Sequence, residues 1–570
     1  HCAGGIDRTP SRPPRQGSRQ RYCSERYSGG TPRPSTRAPP SGSTRRRSRA
    51  AAPLARPARP PSAKSSPDCR GPESRRAEAS PAGSPPAAAA ASGRGKSRPA
   101  ARPSERRTAS HPWVHGQRAR YLIVYIILRV PPQSQYAAPG TNARPPPAAS
   151  RRRRRIRRIF RGRRLTGEIH VQGAKNSVLP ILAATVLTAD SCVIHNCPAL
   201  SDTALTIRIL RTLGCRADWR QGNIFVDSSD LSHLEISGSL TGKMRSSIVF
   251  LGPLLARCGQ TIIAYPGGCR LGSRPIDLHL DGLRQMGATV QEEEQYLRCC
   301  APGGLQGARI VLSFPSVGAT ENLMMAAVLA KGKTTLINCA CEPEIVDLAD
   351  FLIRCGAKIR GAGENTVEIE GVSRLHGCEH VVIGDRIAAA TYLVAAAMTG
   401  GEVVVSGIEP ENLMSMLAAL QKTGGEVSWE KKRCRLKAPS RLKALPQVRT
   451  MPYPGFPTDG LPLFLSLAAV ARGTSIFVEN IFENRYSSVP CLQRMGAFIR
   501  QEGKIAVVEG CGLLHGADVC AEDLRGGAGL VLAALAAQGT SRIEGIEWIE
   551  RGYEHFCENL TALGAEIWKK

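Results

Sequence analysis

One phrase recurs six times in the C-terminal part of this chain. An amphipathic, helix-like run closes on a small or apolar residue, then glycine, then a small residue that opens a strand-like stretch. The copies are Leu213-Gly214-Cys215, Met286-Gly287-Ala288, Cys355-Gly356-Ala357, Thr423-Gly424-Gly425, Met495-Gly496-Ala497 and Leu563-Gly564-Ala565. Their glycines are spaced 73, 69, 68, 72 and 68 residues apart. Upstream of several copies, an Ala-rich run ends in a glycine turn, as in Ala326-Ala327 to Gly332, Ala395–Ala397 to Gly400, Ala468-Ala469 to Gly473 and Ala533-Ala534 to Gly539. A constant period means one supersecondary unit repeated. Each unit reads as helix, strand, helix, strand, with glycine closing each helix. Six units predict an α/β chain of two domains with three repeats each.

Charge separates the repeats from what precedes them. The 570 residues carry a formal net charge of +30. Residues 1–164 hold 38 Lys/Arg against 6 Asp/Glu, and the remainder 39 against 41. The first part also holds 25 of the 41 prolines. Rich in Arg, Pro, Ser and Ala, it cannot bury enough apolar surface to offset its chain entropy. Its one apolar run, Tyr121–Leu128, is far shorter than the ~20 residues of a membrane helix. Residues 1–155 are therefore expected to be a disordered leader, its partner unknown. It reads as a translated non-coding stretch or mis-set start, as an acid-poor transit sequence, or as a nucleic-acid or membrane tail. The run Arg151–Arg155 with Arg157 and Arg158 reads as solvated. The near-neutral body gives no reason to expect nucleic acid or membrane as a partner.

Several familiar chemistries find no support. Gly238–Met244 has the wrong glycine spacing for a phosphate loop and no Ser or Thr after Lys243. Gly361-Ala362-Gly363 reads as a hairpin turn between alternating runs. His376 and His380 flank Gly377 and lack the order of a zinc helix, and no nucleophile elbow occurs. Sixteen body cysteines form no C-x-x-C pair, and Cys511, His515 and Cys520 lack a fourth ligand. Unpaired cysteines suit a reducing, cytoplasmic setting. No metal and no cofactor is expected.

Basic residues in glycine-punctuated turns remain: Lys175-Asn176 after Gly173, Arg245 before Ser246-Ser247, the loop Pro266–Asp277, Asp459 in Phe456–Asp459, Arg485, Arg525 and Arg551. Their recurrence at matching places in the repeats argues for convergence on one cleft. A cleft gathering Lys and several Arg suits a small phosphate–carboxylate anion.

From about residue 156 to 570 the chain resembles the UDP-N-acetylglucosamine 1-carboxyvinyltransferases, a family of enolpyruvyl transferases. The resemblance rests on Gly173–Asn176, Pro266–Cys269 through Arg274–His279, Ser316–Gly318, Glu342–Asp347, Phe456–Asp459 and Glu550–Tyr553. It implies an inside-out α/β barrel of two domains, 156–174 plus 384–570 and 175–383. It also implies transfer of the enolpyruvyl group of phosphoenolpyruvate to the 3′-hydroxyl of UDP-N-acetylglucosamine, releasing phosphate, at the start of peptidoglycan precursor synthesis. In that pattern Lys175, Arg245, Arg274, Arg525 and Arg551 hold phosphoenolpyruvate, and Lys175, Cys269, Asp459 and Arg551 act in catalysis. Asp459 would take the sugar hydroxyl's proton. Cys269 would be a proton donor or a lid thiol, and the expected target of fosfomycin. Asn176, Arg245, Arg274, Pro275, Ile276, Asp277, Leu278, Ser316, Val317, Gly318, Asp459 and Ile481 would contact the nucleotide sugar. Glu342 and Asp385 would position groups at the domain junction.

Three places depart from the family pattern: Ala388-Ala389-Ala390 after Asp385-Arg386-Ile387, Gly460-Leu461-Pro462 after Asp459, and Tyr486–Val489 after Arg485. The first predicts weakened hydrogen bonds at a helix start. Two other readings are weighed. The sister enzyme, 3-phosphoshikimate 1-carboxyvinyltransferase, is opposed by the Lys175-Asn176 and Pro-Gly-Gly-Cys269 signatures. A non-catalytic paralogue that binds UDP-sugar is opposed by retention of Lys175, Cys269, Arg274, Asp459 and Arg551.

Overall fold

A computed structural model describes residues 163–267, 271 and 275–569, together with the backbone of a strand at Arg155–Phe160. The leader reading, Cys269 and Arg274 lie outside the described residues. The end of the basic run corrects one expectation: Arg155–Phe160 is a strand, paired on one side with Thr540–Glu544 and on the other with Ile567–Lys569.

The repeat glycines explain the local design. All six have φ between +88° and +105°, a region costly for a residue with Cβ. After each, the next N–H reaches back to a carbonyl in the helix's last turn. Cys215 donates to Leu210, Ala288 to Leu283, Ala357 to Leu352, Gly425 to Leu420, Ala497 to Leu492 and Ala565 to Leu560. This bond closes a helix and turns the chain sharply towards a strand.

Six four-stranded sheets follow. In each, an edge strand, short in five of the six, runs parallel to a central strand, followed by two antiparallel strands. One example runs Arg309–Val311, Lys333–Ile337, Thr366–Glu370 and Lys358–Arg360. Each repeat's second strand is thus a hairpin plus a short edge strand, richer than the expected helix–strand–helix–strand. Gly361–Gly363 does lie in the turn of one such hairpin. In the last sheet, Arg155–Phe160 fills a hairpin position, so the first and last described strands lie side by side in one sheet.

Two separate apolar cores underlie the sheets. One gathers side chains from Ala174 to Val382; the other takes Leu165, Val171 and residues from Ile387 to Ile567. At the centre of each lie helices buried on every side and mostly apolar, as full burial favours. Arg386–Met398, Leu461–Ala469 and Arg525–Leu535 are buried throughout, and the helices bearing them pack on one another. In the other core Ser177–Ala184, Leu251–Leu255 and Ala319–Ala327 are buried likewise. Helices inside and sheets outside form the inside-out α/β arrangement.

The chain passes between the cores twice, side by side. Ala174 N–H donates to Ile383 O at 2.7 Å and Asp385 N–H to Gln172 O at 2.9 Å. A Cβ on Gly173 would sit 1.8 Å from the Asn196 carbonyl oxygen, and one on Gly384 2.1 Å from that of Gly407. Only glycine fits at this crossing.

Candidate functional site

The buried helices of both cores begin beside the crossing, and their first residues build the site. Asp385 stands between the cores. One oxygen caps helix Arg386–Thr399, accepting from Ile387 N–H at 3.0 Å and Ala388 N–H at 2.9 Å; the other accepts from Lys175 N–H at 3.3 Å. With Ala388 in place, the Ile387 and Ala388 N–H groups at the helix start are both bonded.

Lys175 opens helix Lys175–Ala184, and its Nζ lies 2.8 Å from Asp202 Oδ2. Arg551, from the other core's side, meets the same carboxylate, with Nε 2.9 Å from Oδ1 and Nη2 3.2 Å from Oδ2. One buried acid thus joins two cations across the cleft. Burial lowers the pKa of Lys175; Asp202 opposes that shift, while Arg551 and Arg525 add to it. Burial alone would raise Asp202, but Lys175 and Arg551 outweigh it and hold the carboxyl below its ordinary value.

A second cluster lies at the starts of the other two buried helices. Asp459 accepts from Arg525 Nε at 3.3 Å and also from Arg485 Nη2. Arg485 Nε donates to Thr458 Oγ1 at 3.0 Å, and that hydroxyl donates to Glu479 Oε2 at 2.9 Å. Glu479 in turn accepts from Ile481 N–H at 2.7 Å, fixing the turn that carries Ile481. Asp523 caps helix Leu524–Ala536 through Arg525 N–H and Gly526 N–H, and accepts from Ser487 Oγ at 2.7 Å. Ser487, one of the departures, thereby supports the site. Arg525 is 2 % exposed and lies over the Tyr553 ring at 5.1 Å.

The sugar-binding candidates form a third group. Arg245 Nη1 lies 3.5 Å from the Pro266 carbonyl, at the foot of the Cys269 loop. His279, on the helix that Asp277 opens, meets Asn322 Nδ2 at 2.9 Å, and a Cβ on Gly318 would touch its ring at 3.3 Å. Ser316 caps the helix bearing Val317 and Gly318. Arg245, residues 275–279 and 316–318 therefore share one wall, with Pro275, Asp277 and Asn176 exposed, Leu278 half-buried and Ile276 buried. Burial, helped by Arg245, pushes His279 down to about 4. Leu271, within the loop, accepts at its carbonyl from Asn484 N–H of the opposite core at 3.2 Å.

A further buried group pins the crossing. Arg386 pairs with Glu344, Nε to Oε1 at 3.0 Å and Nη2 to Oε2 at 3.2 Å. Asp347 accepts from Ile383 N–H at 3.3 Å and pairs with His380 Nε2 at 2.9 Å. Glu342 is raised by burial; so is Glu321, well above the usual carboxylate range, with Glu344 and Glu342 adding to the shift. Sequence reasoning missed Asp202, whose only signal was an acid in a helix's first turn, and Asp523; it placed Arg485 in the cationic cleft without giving it a substrate role. Among the described residues no group of His, Cys, Asp and Glu could hold a metal ion, and no helix is long and apolar enough to cross a membrane.

A family model described as EPSP synthase (3-phosphoshikimate 1-carboxyvinyltransferase) matches residues 159–560. This chain belongs to the enolpyruvyl transferase family. Within it, curated relatives named UDP-N-acetylglucosamine 1-carboxyvinyltransferase match strongly. That numbered 1 from Symbiobacterium thermophilum is 50% identical over 411 residues, 71% of this chain and 93% of that protein. That numbered 2 from Caldanaerobacter subterraneus subsp. tengcongensis is 48% identical over 71% of this chain and 97% of that protein. Among solved structures, the enolpyruvyl transferase NikO from Streptomyces tendae superposes with a TM-score of 0.66 at 24% identity, covering 73% of this chain and 99% of its own. An EPSP synthase from Acinetobacter baumannii gives 0.59 at 20% identity, covering 73% and 100%. At such identities these structures speak for the fold alone.

Proposed function

We infer that this enolpyruvyl transferase moves the enolpyruvyl group of phosphoenolpyruvate to the 3′-hydroxyl of UDP-N-acetylglucosamine and releases phosphate. The observation that carries the reading is the convergence of Lys175 and Arg551 on one buried carboxylate, with Arg525 held on Asp459 nearby. The identity of 45–50% to relatives bearing that activity in their names favours UDP-N-acetylglucosamine over other acceptors.

The donor is an enol phosphate, so its phosphate and carboxylate need fixed positive charge through addition and elimination. Lys175, Arg525 and Arg551 are suited to this, and Asp202 gives up its hold on Lys175 and Arg551 as the anion enters. Arg245 and Arg274 would complete the cationic set. C3 of the enol must gain a proton while the sugar oxygen adds at C2; the tetrahedral ketal then loses a proton from C3 and expels phosphate, restoring the double bond. Asp459 takes the hydroxyl proton, which requires reach of about 3 Å. Cys269 serves as proton donor or lid thiol. Arg245, Pro275–Leu278 and Ser316–Gly318 line the nucleotide-sugar wall, with Asn176, Ile481 and Arg274 at its edges. The two cores act as domains, 175–383 and 156–174 plus 384–570, that close to exclude water. No cofactor enters this scheme, and the chemistry suits the cytoplasm, where both substrates are water-soluble metabolites.

The test is phosphate release by the full chain, given phosphoenolpyruvate with UDP-N-acetylglucosamine or with shikimate 3-phosphate. Turnover with the nucleotide sugar alone supports the assignment. Turnover only with shikimate 3-phosphate transfers it to the sister reaction. Folded protein that binds the nucleotide sugar yet releases no phosphate overturns the enzyme reading.

A further inference from the structure

Away from the cleft, three thiols from separate elements meet in the 175–383 half. Cys355 closes helix Pro343–Arg354, Cys378 precedes strand Glu379–Val381, and Cys192 lies in strand Ser191–His195. Cys355 Sγ and Cys378 Sγ are 3.3 Å apart, and Cys192 lies near enough to Cys355 to interact with it. The backbone holds them there. His376 N–H donates to the Cys355 carbonyl at 2.9 Å, and Val193 N–H to the Cys378 carbonyl at 3.0 Å. Gly377 permits this approach, since a Cβ there would lie 2.0 Å from the Ser191 carbonyl oxygen. Cys192 and Cys355 are buried, while Cys378 is half-exposed.

We propose that Cys378 and Cys355 form an oxidant-sensitive dithiol that closes to a disulfide, with Cys378 as the thiol that reacts first with the oxidant. Low-molecular-weight disulfides and peroxides are the oxidants it would meet. With oxidised glutathione, the Cys378 thiolate attacks one sulfur and expels one glutathione thiolate. Cys355, after losing its proton, attacks Cys378 Sγ of the mixed disulfide and expels the second. Two protein thiols are oxidised, and one glutathione disulfide is reduced to two glutathiones. With hydrogen peroxide, Cys378 becomes a sulfenic acid with loss of water, and Cys355 displaces a second water. The order follows from access and from charge. The hydrogen bond from Cys355 lowers the pKa of Cys378, against burial, and Arg354 assists; Cys355 is raised by its contacts with Cys192 and Cys378 and by burial. A thiolate is the nucleophile in either route.

The experiment treats the full chain with oxidised glutathione, and separately with hydrogen peroxide, then alkylates free thiols and maps linked peptides by mass spectrometry. A Cys355–Cys378 linkage is expected with both oxidants, reversed by dithiothreitol, kept in Cys192→Ala and lost in Cys378→Ser. Full alkylation of Cys355 after treatment that oxidises other thiols of the chain overturns the proposal. So does linkage of Cys355 to Cys192 in the native protein. The readout is independent of turnover.

Discussion

The two halves use the same repeat but open their buried helices differently. In the half spanning Ile387–Ile567, the starts of all three carry an aspartate: Asp385 and Asp523 as caps, Asp459 in the turn before Leu461. Those acids hold Arg525 and Arg485, which are 2 % and 1 % exposed. In the Ala174–Val382 half, the starts are Lys175 without a side-chain cap, Arg245 in the turn before Leu251, and the neutral cap Ser316. One half thus fixes Arg525 and Arg485 with its own acids. The other presents Lys175, whose acid, Asp202, comes from a neighbouring helix and is shared across the cleft with Arg551. A repeat specifies where helix starts meet; the residue at each start decides whether that place is clamped or left to exchange its partner.

The sharpest way to break this contrast is at Asp459. If the clamped half supplies the base, Asp459→Asn lowers phosphate release by roughly 10²- to 10⁴-fold, with the melting temperature reporting that the fold persists. In the other half, Asp202→Ala removes the buried acid that Lys175 and Arg551 share. It should cost about 3 kcal/mol in denaturant unfolding, recovered in part by adding phosphoenolpyruvate. Equal stability of mutant and wild type would show the shared acid to be dispensable.

His279 sharpens the comparison with pH. Its folded pKa of about 4 lies below the ordinary 6.5. Its contribution is therefore whole above pH 6.5 and fades as pH falls towards 4, because the unfolded chain takes up the proton first. The full loss is roughly 3 kcal/mol, and His279→Gln should flatten that part of the profile. The caps give a smaller difference. Asp523→Ala, which frees two N–H groups and Ser487, should cost about 1–2 kcal/mol, and Ser316→Ala about 0.5–1 kcal/mol. The smallest expected difference lies in the repeat itself. Gly356→Ala and Gly496→Ala place a Cβ at matching φ beside His376 and His515, and each should cost about 1 kcal/mol. A clear inequality would show that the two halves do not share this turn's energetics.

What could be read in advance divides along the same line. The glycine phrases fixed six helix ends, because a left-handed residue after a helix is a local requirement that sequence must state. The Ala-rich and apolar runs marked the central helices, because burial on every side leaves no polar stripe. Lys175, Arg525, Arg551 and Asp459 were legible through matching places in the repeats and the family resemblance. Asp202 was not. It sits in an ordinary amphipathic helix, and its importance comes from Lys175 and Arg551 reaching it, the latter from 349 residues away. Arg485 was legible as one of the converging cations, but not its burial, 1 % exposed between two aspartates. Arg155–Phe160 looked like the end of a solvated basic run, yet a sheet with a place for one more strand decided its conformation. Sequence alone determined the repeat, its turns and the chemistry available at each helix start. Tertiary structure decided which charges share a partner, because pairing across a cleft depends on distances that no local pattern encodes.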